Sequence, residues 1–169
     1  MKRRAALTCL AGASAWLAGC DRAPAPDAKP RWPSLKVRDL AGKSVTLPSA
    51  SGGARLINLW ALWCPPCRQE LPGLERLAWA VDSHKLDVFA VALAEDGFAV
   101  REYLAQHAAS LQSVVISPDV PVVREMGLDA LPQTFLVAAD GEVLARWVGA
   151  REWDSAAVRE QLDRMLPAV

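Results

Sequence analysis

The run Leu56-Ile57-Asn58-Leu59-Trp60-Ala61-Leu62 presents apolar side chains to both sides of any strand it forms, and so does Leu86-Asp87-Val88-Phe89-Ala90-Val91-Ala92-Leu93. A strand with two apolar faces needs a cover on each, which is the situation of central parallel strands in an α/β sheet with helices on both sides. Between the two runs, Leu71, Leu74, Ala78 and Val81 recur at helical spacing, giving a strand, helix, strand unit with an expected right-handed crossover. A chain of 169 residues, 52% hydrophobic and 22% charged, has the size and apolar content for one compact domain and is unlike a disordered or fibrous protein.

The remaining patterns fit around that unit. Leu35 and Val37 before Ala41-Gly42, with Val45 and Leu47 after it, predict an N-terminal β-hairpin. A second helix is expected from Gly97 to about Gln106, then a strand at Ser113 to Ser117 and a short helical piece near Val122 to Met126. Thr134 to Ala138 and Glu142 to Val148 flank Asp140-Gly141, a strong hairpin signal between apolar runs. An amphipathic helix carrying Val158, Leu162 and Met165 closes the chain. The expected fold is therefore α/β, a central mixed β-sheet flanked by helices with an N-terminal β-hairpin, over residues 35–169.

Residues 1–19 stand apart. Lys2, Arg3 and Arg4 precede an apolar stretch from Ala5 to Leu17, the pattern of a secretory signal. That stretch is short against the roughly 20 residues that span a bilayer. Its end, Leu17-Ala18-Gly19-Cys20, resembles the bacterial lipobox, in which the peptide is cut before a cysteine that receives lipid. Cys20 is then the expected lipidation site, and Asp21 resembles the enterobacterial signal that keeps a lipoprotein in the inner membrane. The expectation is a lipid-anchored protein of the bacterial cell envelope, facing the periplasm. Residues 20–34, with Pro24, Pro26, Pro30 and Pro33, read as an extended tether of about 3.1 Å per residue.

The chain has 19 Lys+Arg and 19 Asp+Glu; three of the basic residues precede Cys20, so the mature protein keeps 16 against 19. It is mildly acidic, without the concentrated basic face that nucleic acid requires. A monomer is expected. With Cys9 removed and Cys20 assigned to lipid, only Cys64 and Cys67 of the four cysteines remain, so the compartment permits a structural disulfide framework that the chain does not supply.

Those two lie in Trp63-Cys64-Pro65-Pro66-Cys67, where an apolar strand ends and an amphipathic helix begins. A thiol at a helix start sits near unpaired backbone N–H groups and the positive end of the dipole, both of which favour thiolate. Cys64 is the expected nucleophile. Cys67, three residues on, shares its side of the helix and can resolve a mixed disulfide formed at Cys64. Pro65 and Pro66 suit a first turn that has no use for their missing N–H groups. Half of a zinc site is the competing reading of this pair; it needs two more ligands, and only His84 and His107 are on offer, so no metal is expected.

The segment Asn58-Leu59-Trp60-Ala61-Leu62-Trp63-Cys64-Pro65-Pro66-Cys67-Arg68-Gln69-Glu70-Leu71-Pro72 resembles the active-site block of the TlpA, ResA and CcmG branch of thioredoxin-like proteins, AhpC/TSA-Redoxin-like thiol:disulfide oxidoreductase lipoproteins. Leu131-Pro132-Gln133-Thr134-Phe135-Leu136-Val137, with Asp140-Gly141 and Gly149, resembles the branch's second block, which begins with a cis-proline. The resemblance covers roughly residues 35–166 and implies a thioredoxin-like three-layer sandwich. It implies that Leu131-Pro132 is cis and lies beside the dithiol, where it can pair with an extended substrate segment. Glu70 matches an acid that influences the dithiol's titration, set against the plainer reading of a solvated helix-surface glutamate. Asn58 stands where thioredoxin has a buried acid and reads as a hydrogen-bonded core amide. Trp60 and Trp63 are expected to pack first, Trp63 also bordering a docking surface, and Pro72 to kink the helix. Leu62 and Gln133 depart from the small polar residue and the threonine more common in this branch.

The function so implied is reduction of client disulfides, the haem-binding cysteines of apocytochrome c or the thiols of a copper site, with a thiol-reducing electron donor at the membrane. No cofactor is expected beyond the redox-active Cys64–Cys67 disulfide. A net oxidant of secreted proteins remains the alternative within thiol chemistry, and a soft thiolate carrier of Cu(I) the alternative outside it.

Overall fold

The structure is a computed structural model and describes residues 30–47, 53–94, 96–117, 123 and 126–166. The proposed signal segment, Cys20, Asp21 and most of the tether lie outside the described residues, as does most of the short helical piece expected near Val122–Met126. Seven strands form one sheet: β1 (Leu35–Asp39), β2 (Ser44–Leu47), β3 (Ala54–Trp60), β4 (Leu86–Leu93), β5 (Ser113–Ile116), β6 (Gln133–Val137) and β7 (Val143–Val148), in the order β2-β1-β5-β4-β3-β6-β7. The helices are α1 (Pro65–Ala80), α2 (Gly97–His107) and α3 (Ala156–Met165). β3 pairs in parallel with β4, and β4 with β5; every other pairing is antiparallel, which makes the sheet mixed as expected.

β3 is buried along its whole length and occupies the middle of the sheet between β4 and β6, the position its two apolar faces demand. Most observed ends fall within two residues of the expected ones, the ordinary scatter where a terminal pair frays. The N-terminal hairpin turns through Gly42 at φ +85°, and the β6–β7 turn through Gly141 at φ +90°, backbone that a side chain would strain. In α3, Val158 and Leu162 are buried while Met165, in the last turn, is exposed.

The expected boundary at residue 35 moves. Trp32 is only 5% exposed, packs edge-on against Phe135 with ring centroids 5.1 Å apart, and donates its backbone N–H to the Gly141 carbonyl at 2.9 Å. The Val143 N–H donates to the Pro30 carbonyl at 2.9 Å, and Arg31 bridges to Glu142. Proline content pointed to a solvated tether here, but one indole outweighs it: an aromatic side chain of this size removes 150–250 Å² from water, as a general magnitude of about 4 kcal/mol or more.

Truncation by Trp32→Ala should therefore cost about 3–5 kcal/mol of unfolding free energy, read as a lower urea midpoint at unchanged slope. Trp32→Phe should retain much of it, since the buried indole N–H has no hydrogen-bond partner. A midpoint that Trp32→Ala leaves in place would return this segment to the tether.

Candidate active site

Cys64 follows the end of β3 by four residues and is the N-cap of α1, with extended backbone at φ −99° and ψ 100°. Sequence spacing put it in the first turn; it sits one position earlier, and Pro65 and Pro66 occupy the first two helical positions. Its sulfur does what a capping oxygen does elsewhere: the Cys67 N–H donates to Cys64 Sγ at 3.3 Å. The two cysteines form a disulfide across a Cα–Cα distance of 5.3 Å. No acidic residue lies in the first turn of α1 to oppose a thiolate. The dipole and the capping N–H together favour the thiolate by up to about 2 kcal/mol in partly buried sites. Cys64 keeps 4% of its surface in solvent and Cys67 none, so an incoming group can reach only the first sulfur.

The two tryptophans expected to pack divide. Trp60 is fully buried, but Trp63 is 73% exposed. It follows the end of the strand and precedes the cap, where no neighbouring layer covers it.

Three residues along α1 from Cys67 is a buried carboxyl group. Glu70 is 4% exposed, which overturns the solvated-surface reading. Its Oε1 accepts from Asn58 Nδ2 at 2.6 Å, and its Oε2 accepts from Trp153 Nε1 at 2.8 Å and from the Arg151 N–H at 3.0 Å. Asn58 Nδ2 also donates to Thr134 Oγ1 at 2.9 Å, so one amide ties α1 to β3 and β6. Its Oδ1 is buried without a partner, and the expected core amide is satisfied on one side only. Desolvation, the largest influence, raises the Glu70 pKa above the ordinary glutamate value, while the donors Trp153, Asn58 and Arg151 pull it down.

Trp153 and Arg151 were not legible as site residues, because both come from the loop after β7, more than eighty positions from Glu70. Gly73 in α1 admits that loop: a side chain there would meet Asp154 Oδ1 at 3.2 Å and Trp153 N at 3.7 Å. Arg76 Nε pins the same loop by donating to Asp154 Oδ2 at 2.7 Å. Pro72 lies inside the helix as expected.

The Leu131–Pro132 bond is cis. The register Leu59↔Gln133 brings Pro132 level with the end of β3, from which Cys64 follows, and the Pro132 carbonyl accepts the Gly149 N–H at 2.9 Å. Of the two histidines, His107 stacks on Tyr103 and its Nδ1 contacts the Tyr103 carbonyl at 2.8 Å. Among the described residues no group of three or more His, Cys, Asp or Glu side chains could hold a metal ion.

Comparison with known proteins agrees with this geometry. The Redoxin family model matches residues 22–165. A thiol-disulfide oxidoreductase ResA of Bacillus thuringiensis (strain Al Hakam) is 27% identical over 137 residues, 81% of this chain and 75% of the relative. A thiol:disulfide interchange protein DsbE homolog of Paracoccus denitrificans is 35% identical over 97 residues, 57% of this chain and 51% of the relative. A crystal structure of a thiol:disulfide interchange protein, thioredoxin family protein, from Chlorobium tepidum superimposes with a TM-score of 0.65 at 25% identity, covering 82% of this chain and 99% of that one. The thioredoxin domain of a Bacteroides vulgatus thiol-disulfide oxidoreductase shares the fold, with a TM-score of 0.70 at 19% identity over 83% of this chain and 99% of that one.

A raised folded-state pKa means that the folded protein holds the Glu70 proton more tightly than the unfolded chain does. The stabilisation is complete below the ordinary glutamate range and is lost as pH rises through the raised value. The oxidised wild type should therefore lose melting temperature across that window more steeply than Glu70→Gln; parallel profiles would show that this carboxyl titrates normally.

Proposed function

This chain belongs to the Redoxin family and is a thiol:disulfide oxidoreductase of the ResA/DsbE type, and from that premise we propose that it works as a lipid-anchored, periplasm-facing reductase of client disulfides. The observation that carries the chemistry is the seat of Cys64 at the cap of α1, its sulfur facing the Cys67 N–H and slightly open to solvent while Cys67 is sealed behind it.

In the reduced protein the Cys64 thiolate attacks one sulfur of a client disulfide. The S–S bond breaks, the client's other sulfur leaves as a thiolate, and a mixed disulfide forms. Cys67, deprotonated, then attacks Cys64 Sγ and displaces the second client sulfur, closing the Cys64–Cys67 bond. Two electrons pass to the client, whose thiolates take up two protons. Glu70, buried with a raised proton affinity, is suited to exchange the proton that Cys67 gives up. A dithiol donor at the membrane returns two electrons and two protons to the pair.

Client docking has support on the surface beside the disulfide. Trp63 and Val148 are exposed large apolar residues, and Val148 adjoins Gly149, which is bonded to Pro132. Among the described residues the Leu131 backbone makes no hydrogen bond, which suits it to pair with an extended client chain. The reducing direction, the clients (apocytochrome c haem-binding cysteines or copper-site thiols), the membrane donor and the lipid on Cys20 follow the branch and the lipobox that the sequence resembles. Among the described residues no helix is long and apolar enough to cross a membrane.

Alkylation of the reduced protein near neutral pH should modify Cys64 well before Cys67, and the reverse order would exchange their roles. A Cys67→Ser variant should accumulate a mixed disulfide with its client, visible on a non-reducing gel and identifiable by mass spectrometry; no adduct despite a reactive Cys64 would count against exchange. Net flow of electrons from an added Cys-x-x-Cys-His dithiol peptide to the oxidised protein, without the reverse, would make it an oxidant instead.

A further inference from the structure

The segment 127–131 leads into Pro132, yet little of its own backbone holds it. Among the described residues its one bond to another backbone group runs from the Leu128 N–H to the Val123 carbonyl at 3.4 Å, and the ladder to β3 and β7 begins only at Gln133. Its side chains Leu128 and Leu131 are partly buried against the core, while next to the segment Met126 and Arg146 line a cavity of about 340 Å³ with Trp32 and Phe135.

One side chain bridges the gap. Arg146, on β7 opposite Phe135, donates from Nε to Gln133 Oε1 at 3.1 Å and from Nη2 to the Gly127 carbonyl at 2.9 Å. The same Nη2 lies 3.7 Å from Asp129 Oδ1, and the guanidinium carbon sits 5.6 Å from the centroid of the Phe135 ring. Gln133, fully buried, completes the set by donating from Nε2 to Asp129 Oδ1 at 3.4 Å. Residues 127, 129 and 133 are thus gripped from one planar fork whose donors have fixed directions. Threonine at 133, common in the branch that the sequence resembles, would be too short to make these contacts.

We propose that Arg146 and Gln133 are positioning residues for client exchange, a clamp that sets where the Gly127–Leu131 segment presents Leu131 and Pro132 to a bound client. The inference rests on the exchange reaction proposed above and concerns recognition of an extended chain, not the reactivity of the sulfurs. Arg146 is half exposed and replaceable without opening the core. Lysine at that place keeps the charge but has one nitrogen where Arg146 uses two, and so lacks the fixed fork that reaches Gln133 and Gly127.

The test is single-turnover exchange by the pre-reduced protein, comparing an extended peptide that carries a glutathione-capped cysteine with the small disulfide bis(hydroxyethyl) disulfide. For Arg146→Lys the half-saturating peptide concentration should rise about five- to tenfold, the effect of losing one or two modest hydrogen bonds. The limiting rate and the rate with the small disulfide, which report the dithiol itself, should stay within about twofold. Gln133→Thr, too short to reach either Arg146 or Asp129, should raise the peptide concentration in the same direction and leave the rate with the small disulfide unchanged. An unchanged peptide concentration in Arg146→Lys, or an equal loss on both substrates, would overturn the proposal.

Discussion

The Cys67 N–H directed at Cys64 Sγ is a weak contact taken singly, but its place makes it decisive. It lies at the cap of a helix whose first two positions are prolines, which have no amide hydrogens to compete for the sulfur. The cap is delivered by a strand buried along its whole length, so the sulfur cannot drift relative to the sheet. An anion formed there meets fixed dipoles with no reorganisation, which is the usual source of electrostatic advantage in enzymes. The second sulfur needs no such environment, since it acts on a partner three residues away and is protected from everything else by burial.

The site is held together from opposite ends of the chain. Asn58 on β3, Glu70 on α1, Thr134 on β6 and Trp153 after β7 form one connected set of hydrogen bonds. A carboxylate in such a place is disfavoured by desolvation and retained by donors, and desolvation is the stronger influence on Glu70. The same residues that join helix to sheet thus set the proton affinity of a buried carboxyl three positions along α1 from Cys67.

What the sequence disclosed, and what it did not, divides by the range of the cause. Strand and helix positions follow from the period of apolar residues, so β3, β4 and the β6–β7 hairpin were legible almost to the residue. Cys64, Cys67 and Pro132 were legible because their chemistry depends on neighbours a few positions away or on a recognisable block. The family resemblance pointed to Glu70 as an acid linked to the dithiol but not to Trp153 sealing it, because a contact between α1 and a distant loop leaves no periodic trace. Trp32 was hidden by the prolines around it, and Trp63 by the general tendency of tryptophan to be buried. Arg146 looked like any polar residue on an edge strand, its clamp depending on a glutamine thirteen positions earlier.

The anchoring of Trp32 at the β6–β7 turn gives the molecule a polarity. β6 starts opposite the end of β3 that leads to Cys64 and runs away from it, from Gln133 opposite Leu59 to Val137 opposite Arg55. At about 3.4 Å per residue, its far end is on the order of 14 Å from its start. The chain joins the domain at that remote end, where Trp32 meets Gly141. The first described residues and the strand end that leads to Cys64 thus lie at opposite ends of β6, so the two ends of this strand carry different tasks: one closes the fold and the other leads to the reactive sulfur.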